Sequence, residues 1–151
     1  MADFDLSALE SLTELECQIG ETRFFFDKLG AMAAWQMLER IRHELSRTPA
    51  VELTAATDVG VLVRAILALD PVFIERLRCD LFAHVRFANT KALTPQPLAG
   101  AEDMAFQGEG IEPVAVYQVL TRSLLVNFFG SFRAVVSQFG DEPPSSIPLL
   151  Q

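Results

Sequence analysis

Cysteine is scarce in this 151-residue sequence, and apolar runs of membrane-spanning length are missing. Cys17 and Cys79 allow at most one disulfide, so no cystine framework holds the fold, and both read as small buried hydrophobes. A membrane helix needs about 18 or more nearly uninterrupted apolar residues. The richest stretch, near the C-terminus, is broken by Arg122, Asn127 and Arg133. The opening Met1-Ala2-Asp3-Phe4-Asp5 lacks the positive start and apolar core of a secretory leader. Dense basic charge is absent too. Twelve Lys and Arg stand against twenty Asp and Glu, giving a net charge of −8, and the cations are scattered. That balance repels nucleic acid at long range. These absences predict a soluble, cytoplasmic protein that binds neither membrane nor nucleic acid.

Catalytic signatures are missing as well. There is no Gly-x-Ser-x-Gly elbow and no phosphate loop, and Gly108-Glu109-Gly110 is too short for a dinucleotide fingerprint. His43-Glu44 begins like a zinc-protease motif, but the second ligand position holds Arg47, and a cation cannot ligate zinc. Cys79 and His84 are five apart on one expected helix and share a face poorly. The N-terminal carboxylates Asp3, Asp5, Glu10, Glu14, Glu16 and Glu21 fall in a polar start or on an exposed strand face. Paired-carboxylate catalysis needs at least one in an apolar pocket. The expectation is no catalytic residue, no cofactor, no metal and no enzyme activity.

What is present is apolar pattern in quantity, half of the residues being hydrophobic. Leu15, Cys17 and Ile19 alternate with Glu14, Glu16 and Gln18, which predicts a half-buried strand over Leu12–Ile19. Gly20-Glu21 suits a tight hairpin turn into Thr22–Lys28, with Phe24 and Phe26 on one face and Phe25 on the other. Helical spacing follows over Ala31–Arg47, where Ala34, Leu38, Ile41 and Leu45 point inward, flanked by Ala31 and Trp35. Asp58 is read as the cap of a helix to Leu69, hydrophobic all round and therefore central. Asp70-Pro71 reads as the cap and first position of a third helix, running to about Ala88 with Ile74, Leu77, Leu81 and Val85 inward.

The two prolines of Thr94–Gly100 predict a loop, and Glu102–Gln107 a short helical turn. Val114–Phe139 then reads as one long helix whose apolar residues exceed a stripe of about 100°. It must be covered by the chain's own core or by a partner. Phe128 and Phe132 stack one turn apart, with Phe129 about 100° away, so one direction should face the core and the other a partner. The predicted fold is mainly α: an N-terminal β-hairpin and about four helices in a compact bundle. Residues 1–140 form one domain and 141–151 a Pro-rich disordered tail.

The layout resembles the small tail assembly chaperones of long-tailed bacteriophages and prophages. The resemblance rests on the hairpin Gly20–Ala31 feeding Trp35-Gln36-Met37-Leu38, on the apolar helices, and on the aromatic helix around Leu125-Val126-Asn127-Phe128-Phe129-Gly130-Ser131-Phe132. It implies a protein of the bacterial host cytoplasm that coats the tape measure protein, keeps it soluble and brings tail tube subunits to it. Self-association stays open. Phe25, Phe128, Phe129 and Phe132 are the candidate partner-binding residues. Two alternatives remain: a minor tail or connector protein retained in the virion, and a small metal- or ligand-binding domain around Cys79 and His84.

Overall fold

Alternation in β1 (Glu16–Ile19) and β2 (Thr22–Phe26) produces the expected hairpin, with Ile19 opposite Thr22 across the turn. Gly20 has φ +58°, a conformation open to glycine without the Cβ clash. The computed structural model describes residues 13–47, 59–107 and 111–141, with side chains through Ala134. Of these, the residues within Met1–Leu29 and Glu75–Asn127 form one compact unit, and those within Gly30–Ile74 and Phe128–Gln151 another. The described chain is mostly helical. Its helices are α1 (Ala31–Ser46), α2 (Val59–Leu67), α3 (Pro71–Phe82), α4 (Glu102–Ala105) and α5 (Val114–Asp141).

In the first unit the hairpin is half of a larger sheet. β3 (Val85–Ala88) pairs antiparallel with β2, and β4 (Gln96–Pro97) with β3, giving the order β1-β2-β3-β4. This corrects the sequence reading, which carried the third helix through Val85 to Ala88 and left Thr94–Gly100 as loop. The last helical turn tightens when His84 N–H donates to Leu81 O at 3.0 Å. Val85 and Phe87 are then buried beside Phe26 and Phe24, their partners in register. A β-branched and an aromatic residue suit a strand, and the exposed edge of β2 supplies the backbone partners. Pro97 is tolerated because its strand lies at the sheet edge.

The core of this unit is aromatic. The Phe106 ring stacks on Phe24 at 5.3 Å between centroids and lies 6.2 Å from Phe82. Phe24, Phe82 and Phe87 are buried, each contributing roughly 1.5–3 kcal/mol by area. Thr22 Oγ1, buried beneath the sheet, donates to Ala105 O at 3.0 Å. Asn127 clamps two segments: its Nδ2 donates to Ser123 O at 2.8 Å, and its Oδ1 accepts from Leu29 N at 2.8 Å. The Thr121 and Ser123 hydroxyls on α5 are buried without a hydrogen-bond partner. Leu15, expected inward, is exposed.

In the second unit α1 buries Met37 and Ile41 and packs on α2. Trp35 was expected to flank the inward stripe, but the stripe is rotated and Trp35 is exposed. α2 buries Val59, Gly60, Leu62, Val63 and Ile66 while Val61 and Arg64 are exposed, so it is one-sided rather than hydrophobic all round. Asp58, its expected cap, lies outside the described residues, as does the tail after Asp141. Asp70 caps α3 as its sequence predicts, accepting from Val72 N at 2.9 Å ahead of a helix that starts at Pro71. Phe128 and Phe132 on α5 are buried with centroids 5.8 Å apart.

Candidate interaction surfaces

The sheet register sets the outer face of the first unit. Glu16, Phe25, Arg86 and Pro97 lie in one cross-strand row, and Gln18, Arg23 and Ala88 in the next. Phe25 is only half-buried, because its position in the period-two pattern opposes that of Phe24 and Phe26. The Arg86 guanidinium lies 5.6 Å from the Phe25 ring centroid. Asp27 holds Arg86 in a two-pronged pair, with Nε to Oδ2 at 2.9 Å and Nη2 to Oδ1 at 3.1 Å. That carboxylate pushes the Arg86 pKa still higher. Toward the hairpin turn the face opens into a cleft of about 360 Å³, where Arg23 and Phe25 meet Asn89, Leu93 and Pro95. Asn89 shapes its rim, with Oδ1 accepting from Lys91 N and Ala92 N at 2.9 and 2.8 Å.

A second surface lies on α1. Met32 and Trp35, three residues apart and so neighbours on the helix, are 67% and 51% exposed. Gln36, Arg40, His43 and Arg47 of the same helix are also exposed. The helix's two carboxylates are less accessible. Glu39 accepts from Arg42 Nε at 2.9 Å, and Glu44 lies 3.6 Å from Arg47. Every fully exposed ionisable residue on this stretch is therefore a base.

The four aromatic candidates divide by direction. Phe128 and Phe132 are each 2% exposed and present no surface in this conformation. Phe129 is half-buried, with Arg133 lying 5.6 Å from its centroid. Phe25 sits on the outer sheet face as described.

The residues considered for chemistry are dispersed. Cys79 is exposed beside Glu75 and Arg78, which pair with each other. That contact holds the Glu75 carboxyl below its usual range. Burial pushes the Cys17 thiol up against the opposing charge of Arg122, with Glu16 adding to the rise, which favours the unreactive thiol form. His43 and His84 are exposed. Among the described residues no group of three or more His, Cys, Asp and Glu is placed to hold a metal ion. No helix among them is long and apolar enough to cross a membrane.

Sequence reasoning missed Met32, Asp27, Arg86 and Asn127. The Met32–Trp35 spacing was the available signal. The Asp27–Arg86 pair spans 59 residues and emerges only once β3 is a strand. No protein-family model matches the chain, and no curated protein or solved structure gives a significant match to it.

Proposed function

We propose that this chain is a binding protein without catalytic activity, a tail assembly chaperone of long-tailed bacteriophages that holds the tape measure protein soluble in the host cytoplasm. The exposed Met32–Trp35 pair carries the reading. Trp is the residue type most often found as an interface anchor, and a flexible thioether adapts to varied apolar partners. The half-buried Phe25 and Phe129, each beside an arginine, offer further contact rings. A client that is long, helical and apolar needs grip without chemistry, which such a set supplies.

The test is co-expression with the tape measure protein of the same genome, measuring how much stays soluble. Wild type should raise the soluble fraction several-fold, and Met32→Ser with Trp35→Ser should abolish the gain while the melting curve stays put. No gain with wild type would overturn the reading. Mass spectrometry of purified particles adds a second arm: absence from the finished virion is expected, and stoichiometric retention would assign a structural tail component instead.

A further inference from the structure

The four-stranded sheet ends differently at its two edges. β4 is two residues long and contains Pro97, which makes a blunt edge. β1, at the other edge, has neither proline nor lysine. Phe26 N–H donates to Leu15 O at 2.8 Å, which fixes the alternation of the hairpin. Leu15, Cys17 and Ile19 aim their backbone groups at β2, so Glu16 and Gln18 aim theirs away from the sheet. Among the described residues no backbone group bonds to that side of β1. Leu15 belongs by alternation to the face of Cys17 and Ile19, yet it is 54% exposed. An open edge and an uncovered leucine therefore lie side by side.

We propose that β1 pairs antiparallel with β1 of a second copy, about a two-fold axis at Cys17, joining two sheets into one. Open backbone groups must face open ones, which leaves the axis at Glu16, Cys17 or Gln18. At Glu16, two carboxylates would lie directly opposite each other, and like charges so placed destabilise a strand pair. At Gln18, the exposed Leu15 would meet Glu21 of the turn. At Cys17, Glu16 of each copy meets Gln18 of the other and exchanges two backbone hydrogen bonds with it. On the opposite face Leu15 meets Ile19, and Cys17 meets its own copy. A carboxylate then faces an amide, and apolar side chains face apolar ones. One strand thus supplies both halves of a matched interface, which is why the occupant is a second copy. The pairing goes beyond the chaperone reading and does not depend on it.

Sedimentation velocity on the full chain tests it. At about 0.15 M salt, screening beyond about 8 Å limits the mutual repulsion of two chains of charge −8. A reversible dimer is expected, with Kd between about 1 μM and 1 mM for so small an interface. Gln18→Pro removes an outward N–H and spares the bonds to β2, so it should give a monomer with an unchanged melting curve. Gln18→Glu keeps that N–H but faces Glu16, and should weaken the dimer several-fold; Gln18→Lys should tighten it several-fold. The register is read from the exposed outer face. In a Cys17→Ser, Cys79→Ser background, chains carrying Glu16→Cys or Gln18→Cys are oxidised with diamide, each diamide taking two electrons and two protons from two thiols. The paired Cα spacing of about 5.5 Å suits a disulfide, and the two variants should link only when mixed. A monomer at every concentration, or a dimer that Gln18→Pro and Gln18→Glu leave intact, would overturn the proposal. So would a mixture that does not link, or either variant linking with itself as readily as with the other. If Gln18→Pro unfolds the chain, Gln18→Glu and the mixed thiols decide.

Discussion

The outer face of the sheet and the exposed side of α1 both carry apolar side chains, and they are finished differently. On the sheet, Phe25 lies under the Arg86 guanidinium, which Asp27 grips with both carboxylate oxygens. On α1, Met32 and Trp35 keep more than half of their area in water. A cation over a ring face gains electrostatic attraction while shielding part of the ring. The sheet surface is therefore largely satisfied within the chain. The helix surface still has hydrophobic free energy to release on association, which makes it the more productive place to look for a partner.

The largest expected effects fall on the inward partners of the exposed rings. Phe24→Ala should lose roughly 3–5 kcal/mol in denaturant unfolding, whereas Phe25→Ala, one residue along, should lose about 1 kcal/mol. Phe128→Ala and Phe129→Ala should split the same way, by roughly 3–5 against about 1 kcal/mol. Equal losses within either pair would erase the distinction between covered and outward rings. Next comes the α1 pair, where Met32→Ser with Trp35→Ser should shift stability by no more than about 0.5 kcal/mol while removing partner capture. A large stability loss there would place both side chains in the core.

A smaller effect follows from Cys17. Burial raises its thiol pKa, so the folded chain holds that proton more tightly than the unfolded chain does. The stability it contributes is complete below the ordinary thiol value of about 8.5 and is lost as pH rises toward the folded value. Unfolding curves from about pH 7 to pH 10 should therefore fall more steeply for wild type than for Cys17→Ala. Parallel curves would show the thiol to be no more buried in the folded state. The smallest effect belongs to Asp27→Asn, which should leave the melting temperature nearly unchanged, as exposed ion pairs usually do.

The hairpin, α1, the Asp70-capped helix and the long α5 were legible because each rests on local periodicity or on a cap. The strand β3 was not. Leu77, Leu81 and Val85 keep a four-residue rhythm, so the helix seems to continue, and only pairing with β2 far back in the chain turns Val85–Ala88 into a strand. The two-residue β4 carries no period at all. At the candidate surfaces, the outward placement of Phe25 followed from alternation and the divergence of Phe128 from Phe129 from helix geometry. The exposure of Trp35 did not, because the neighbouring apolar residues allow the buried stripe of α1 to be drawn on either side of it. Tertiary contacts at Met37 and Ile41 chose between them.

The chain crosses between its two units three times, after Leu29, after Ile74 and after Asn127. The first and last of these crossings meet at one hydrogen bond, from Leu29 N–H to the Asn127 side chain. No single cut in the polypeptide leaves either unit alone in a fragment. By the same count, no single genetic crossover can exchange one unit and spare the other. The surface on α1 lies, in sequence, between the two strands of the hairpin and the other two strands of the sheet.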